Sequence, residues 1–165
     1  MKNIITTVNG VSGVVHDDPW SMPGEDESDN RDFQIVSLER LLALAESGER
    51  LQGQYGVMLH PDDDPDILLP WLASLPLIAL QFPRFSDGRA YSQAYLLRAR
   101  YGFEGELRAV GDVLRDQLAA MRHCGFSSFA IREDRSAEEA LKGLEVFDLI
   151  YARSVSTPQP LFRRR

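Results

Sequence analysis

Glu106 and Arg108 stand two residues apart in the apolar run ELRAV and are the first residues in this chain that could do chemistry. In an extended segment residues i and i+2 share a face. The carboxylate and the guanidinium can therefore form a structural ion pair, or serve as an acid/base group beside an anion clamp. Upstream, the segment from Ser86 to Ser92 (SDGRAYS) reads as the opening of a helix. Gly88 would let backbone N–H groups approach a ligand, the helix start favours an anion, and Asp87, Arg89, Ser92 and the preceding Arg84 lie within reach. The same residues also read as a simple cap, with Asp87 closing the first turn and Arg89 in solvent. Downstream, Asp112 is expected to cap a helix or, with Asp116, to supply a second carboxylate. Arg115 is expected to reach the site or a partner chain, and Arg132 ends the next strand. The candidate catalytic residues are thus Glu106, Asp112 and Asp116. The candidate ligand-binding residues are Arg84, Asp87, Gly88, Arg89, Ser92, Arg108, Arg115 and Arg132. Arg84, Arg89, Arg108, Arg132 and Glu106 are expected to converge at one sheet edge and hold an oxyanion by several charge-assisted hydrogen bonds.

Other reactive side chains read as structural. His60 with Asp62, Asp63 and Asp64 matches no strong ligand spacing and reads as an acidic helix-capping loop, so no metal site is expected. Cys124 is the single cysteine; it precludes a disulfide within the chain and reads as a small buried residue. There is no G-x-G-x-x-G, P-loop or C-x-x-C pattern, and no cofactor is expected.

The elements that must position these residues are set by periodicity. Asn9-Gly10 between β-rich runs predicts a hairpin over 3–15. Residues 16–32 are acidic and rich in turn formers and read as a mobile loop, with Trp20 and Met22 as the two residues in it able to dock on the body. A short strand is expected over 33–36, then a helix from Leu38 to about Ser47, capped by Ser37 and stopped by Gly48. Four strand–helix units come next, with strands over 56–60, 77–82, 106–110 and 128–132. Their helices read as 66–74, 89–101, 113–123 and 137–147, and Pro70 is expected to kink or shorten the first. Alternation puts Val57, Leu59, Ile78, Leu80, Phe82, Leu107, Ala109, Phe129 and Ile131 on one strand face. Met58, His60, Ala79, Gln81, Glu106, Arg108, Ala130 and Arg132 fall on the other. One apolar and one polar face predict helices on one side only. The expected fold is α/β, four consecutive βα units in a parallel half-barrel-like sheet with a polar concave face, preceded by the hairpin and helix. A flavodoxin-like open sheet is the alternative. The organisation expected is one domain: hairpin and acidic loop over 1–32, α/β core over 33–150, basic tail over 151–165.

The formal net charge of −7 hides an asymmetry. Residues 1–75 hold 14 acidic and 4 basic side chains, residues 76–165 hold 11 and 14. An acidic protein lacks the field that nucleic acid requires, so no nucleic-acid partner is expected. No apolar run approaches the roughly 20 residues that span a bilayer, and no signal-peptide core opens the chain. A cytoplasmic protein without a membrane partner is expected. The arginine-rich second half suits an acidic partner, and open sheet edges favour a homodimer.

The run DGRAYSQAYLLRARYGFEGELRAVGDVLRDQLAAMRHCGF resembles a bacterial family called domain of unknown function 934. The resemblance extends back through YGVMLHPDDDP and PLIALQFPRF and forward to SSFAIRED, covering about residues 33–135. It implies a link to sulfur assimilation, because members are typically encoded beside assimilatory sulfite or nitrite reductase and are often labelled oxidoreductases. It supplies no catalytic residues. The expectation is an accessory protein of assimilatory sulfite reduction that binds an oxyanion or anionic metabolite, or docks on sulfite reductase. The alternative is an oxidoreductase or acid/base enzyme using the Arg/Glu/Asp set with a borrowed cofactor.

Overall fold

The computed structural model describes residues 1–22, 33–48 and 54–145. Residues 23–32 of the expected acidic loop, the last turn of the helix expected to reach 147, and the basic tail over 151–165 lie outside the described residues.

Seven strands form one open sheet in the order β2-β1-β7-β6-β5-β4-β3, not closed into a barrel. The hairpin forms as expected. β1 (Ile4–Val8) and β2 (Val11–Val15) are antiparallel, and Asn9 and Gly10 take φ of 50° and 83°, the left-handed pair that a two-residue turn requires. The remaining strands are β3 (Gln34–Ser37), β4 (Tyr55–Leu59), β5 (Leu77–Phe82), β6 (Glu106–Gly111) and β7 (Ser128–Ala130). They are parallel neighbours in chain order. β1 then joins β7 antiparallel.

Right-handed crossovers that always step the same way put the described helices on one face. The helices are α1 (Leu38–Glu46), α2 (Arg89–Tyr95), α3 (Leu118–Cys124) and α4 (Ala137–Glu145). Their buried residues, including Leu41, Ala94, Met121 and Ala140, share one core with Val57, Ile78, Leu80, Leu107 and Phe129. A flavodoxin-like arrangement needs helices on both faces, and the described helices exclude it. Ser37 caps α1 by accepting from the Arg40 N–H, and Gly48 stands just beyond it at φ 77°. Pro70 acts as expected: residues Pro65–Trp71 wind as a 3₁₀ helix behind the Asp64 cap. α2 continues through a π turn over Leu96–Arg100, and a 3₁₀ turn over Arg115–Gln117 precedes α3.

The polar concave face requires correction. Residues 16–22 are a strap that crosses the other face from β2 at one sheet edge to β3 at the far edge. Trp20, 7% exposed, packs with Ile4, Ile35, Met58, Leu77, Ala79, Val110 and Ala130 in a second, smaller core. Ser21 then bridges to Gln34, donating its N–H to Phe33 O and accepting from the Ile35 N–H. The apolar Trp20 outweighs the loop-forming character of its neighbours, because burying an aromatic of that size is worth several kcal/mol of order.

Gly111 ends β6 and turns the chain toward the loop after β5. Its φ is +94°, and a Cβ there would lie 2.4 Å from the carbonyl oxygen of Phe82. Gly111→Ala is expected to lose upwards of about 2 kcal/mol, from left-handed strain plus that clash. Urea unfolding measures it; an unchanged midpoint contradicts the constraint.

Candidate functional site

The expected convergence of charges does not occur. Among the described residues Arg108, Arg89 and Arg132 instead centre three separate charge clusters, each of these arginines answered by its own carboxylates.

The first cluster is buried. Glu106 begins β6, opposite Leu77, at the N-terminal edge of the parallel strands, away from the other candidates. Arg108, 1% exposed, sits in mid-sheet between Ala79 and Ser128. Its Nη1 and Nη2 donate to the two Asp18 oxygens at 2.8 and 2.7 Å. Nη2 and Nε reach Glu106 Oε1 at 2.7 and 3.0 Å, and Nε also reaches Ser128 Oγ at 2.9 Å. The remaining Nη1 proton faces the sulfur of Met1. Burial works against the guanidinium charge, but Asp18 and Glu106 outweigh it and hold the pKa above the ordinary arginine value. All five N–H groups are engaged, so Arg108 has none left for an anion. Glu106, the candidate acid/base, is held on the same guanidinium. Sequence reasoning missed Asp18, which lies ninety residues away in a segment that reads as loop.

The second cluster lies over β4 and β5 at their C-terminal ends. Arg89 donates to Asp87 through Nε at 3.0 Å and Nη2 at 2.7 Å, and its Nη1 bonds Asp62. The Arg89 side-chain hydrogen bond, with the Arg89 N–H, lowers the Asp87 carboxyl to about 2. A Cβ at Gly88 would meet no atom within 4 Å, and Ser92 is exposed on α2. The acidic loop caps as expected: His60 N–H donates to Asp63 and Asp66 N–H to Asp64. Gln93, also missed, is buried beneath this loop and donates to the carbonyls of His60 and Asp63 at 2.9 and 2.8 Å.

The third cluster lies over β6 and β7. Asp112 was expected to cap a helix. Instead, Leu114 is extended (φ −108°, ψ 149°) and delays the helix start to Arg115. The turn at Gly111 directs the Asp112 N–H to Phe82 O at 2.7 Å. Its carboxylate accepts from the Phe85 N–H and from Arg132 Nη1, each at 2.8 Å. The Phe85 N–H, then Arg132, holds this carboxyl below its ordinary range. Arg132 is shared with Asp134. Arg115 is exposed and its stem lies across Gly143 of α4; Asp116 is exposed beside it.

Two features of the C-terminal edge remain open. One is the loop after β5. Phe85 is 57% exposed, yet its backbone is clamped by Asp112 on the N–H and by the Gln117 amide on the carbonyl. Arg84 beside it is exposed and has no carboxylate partner among the described residues. The other is a cleft of about 510 Å³ where the parallel strands meet the hairpin. Val110, Ala130 and Met22 line its apolar part; Lys2, Arg132 and Glu133 line its polar part. Among the described residues no group of three His, Cys, Asp or Glu side chains could hold a metal, and no helix is long and apolar enough to cross a membrane. Cys124 is half-buried, and burial pushes its thiol up, away from the reactive thiolate.

The family model for "Bacterial protein of unknown function (DUF934)" matches residues 56–162, which include β5 to β7, all but the first residue of β4, and the edge loops described above. The chain belongs to this family. No curated protein matches it.

Two measurements check this geometry. Asp18→Ala should strip the buried guanidinium of its main partner and cost about 3–5 kcal/mol, whereas Asp18→Ala with Arg108→Met should recover most of it. Chemical denaturation of both variants decides; equal losses contradict a buried-charge origin. Because the Asp87 pKa is depressed, its stabilising contribution is present above 3.8 and is lost as pH falls through about 2. A carboxyl-carbon NMR titration should give that low midpoint, and a midpoint near 3.8 contradicts the Arg89 contact.

Proposed function

We propose that this protein is an accessory component of assimilatory sulfite reduction that docks on the reductase through the C-terminal edge of its sheet. The link to sulfite reduction comes from the family resemblance. The docking mode rests on one observation: Arg84 and Phe85 project into solvent from a backbone clamped by Asp112 and Gln117. Aromatic residues and arginine are both enriched at protein interfaces, and a pre-ordered loop loses little entropy on binding. Arg84 gives the surface a preference for an acidic patch. The acid/base reading has less support, because Glu106 is engaged by Arg108.

A second reading is favoured by the cleft beside Lys2 and Arg132, whose size suits a small anionic metabolite. Sulfite or a related oxyanion would have to draw Arg132 from Asp134, so weak binding is expected.

Purified sulfite reductase, titrated with this protein in a surface-binding assay, tests docking. Arg84→Glu with Phe85→Ala should weaken the complex by at least about tenfold, roughly 1.4 kcal/mol. Its unfolding midpoint should stay unchanged, since both side chains are exposed. No complex with the wild-type chain, or equal affinity for the variant, overturns the docking surface. Calorimetric titration with sulfite, sulfate and phosphate, repeated on Lys2→Ala and Arg132→Ala, tests the cleft.

A further inference from the structure

The two edges of the sheet are treated differently. At β3 the edge is covered by the strap, whose Ser21 takes up the free backbone groups of Phe33 and Ile35. At β2 no described residue does so. The sequence of β2, VSGVV, also carries none of the usual guards of an open edge: no proline, no lysine, no inward charge. Val11 is 75% and the adjoining Val8 63% exposed.

The hydrogen-bond phase of β2 is fixed by β1. The Thr7 N–H donates to Ser127 O at 2.8 Å, and Asn3 O accepts from the Ile131 N–H at 2.9 Å, so the odd residues of β1 face β7. Ser12 pairs with Thr7 and Val14 with Ile5. In an antiparallel ladder, opposite residues point their backbone groups the same way relative to the pair, both inward or both outward. Ser12 and Val14 therefore direct their N–H and C=O groups off the open edge, while Gly13 directs its own toward Thr6. The Thr7–Ser12 hydroxyl contact at 2.7 Å fits the close spacing of a non-hydrogen-bonded pair.

We propose that β2 is a homodimer interface, pairing antiparallel with β2 of a second copy about a twofold axis at Gly13. This phase is self-complementary. Ser12 stands opposite the partner's Val14 and exchanges both backbone bonds with it, and the symmetric pair does the same. On the strap face, exposed Val11 meets the partner's Val15, giving two apolar cross-strand pairs. Asp17 falls opposite the partner's Asn9, so no like charges meet. Gly13 faces its own copy with no side chain between. The axis is perpendicular to the sheet, so both helix layers lie on one side, and α4, which packs over β1 and β2, adjoins its copy. The result is one continuous sheet built from both chains, with the two docking edges left free.

Sedimentation of the full chain across the micromolar range should give twice the chain mass of 18.6 kDa. A Cβ at Gly13 meets no atom within 4 Å in the single chain. Gly13→Lys should thus keep its circular dichroism and sediment as a monomer, because two lysines would meet on the axis. Gly13→Cys in a Cys124→Ser background should cross-link under mild oxidation, since a non-hydrogen-bonded pair brings Cα atoms to about 4.5 Å, within disulfide reach. A wild-type monomer at all concentrations overturns the proposal. So does a dimer that survives Gly13→Lys, or a Gly13→Cys chain that does not cross-link. Should Gly13→Lys fail to fold, the cysteine variant decides alone.

Discussion

A guanidinium buried in the middle of a sheet is the constraint around which this fold is arranged. Arg108 is 1% exposed, and an unpaired charge there would cost several kcal/mol. Glu106 on the same strand supplies one partner, but it sits at the rim and satisfies only one side of the fork. Asp18 completes the set with two parallel bonds. To deliver Asp18, the chain after β2 must run across the sheet face. That path places Trp20 over Met58, Leu77 and Ala79 and brings Ser21 to the free edge of β3. One charge therefore explains the second core, the covered edge and the course of residues 16–22.

The same arrangement divides the molecule by role. Charges in mid-sheet are consumed internally. At the C-terminal edge they are used to fix loops: Arg89 gathers Asp62 and Asp87, while Asp112 ties the β5 loop to Arg132. What these pairs leave exposed is a stiff loop tipped by Arg84 and Phe85, with a cleft on the other side of β6. Such an edge suits recognition by a partner, and the candidate acid/base Glu106 lies at the opposite edge, held on Arg108.

Much of the fold was legible in the sequence because its signals are local. Asn9-Gly10 specifies a two-residue hairpin turn whatever surrounds it. Ser37 and Asp64 mark helix starts through their side-chain oxygens, and Gly48 marks a helix end through its left-handed backbone. Strand alternation separated the two faces residue by residue, and the helices do cover only the apolar one. The site was less legible because its contacts are not local. Nothing near Asp18 announces Arg108, and acidic, turn-rich neighbours argued for a loop. Asp112 looked like a cap because it stands just after a strand; its role depends on Gly111 turning it toward Phe85, a contact twenty-seven residues back. Grouping Arg84, Arg89, Arg108 and Arg132 by residue type overlooked that Arg89, Arg108 and Arg132 are each taken up by different carboxylates.

If a partner meets the C-terminal sheet edge, the Glu106–Arg108–Asp18 cluster has only to hold the fold together. Amide line-broadening of the labelled protein on addition of sulfite reductase separates these roles directly. Signals of residues 84–89 should broaden first, while those of Glu106, Arg108 and Asp18 persist. Broadening centred on Glu106 and Arg108, with the 84–89 loop unaffected, would contradict this division.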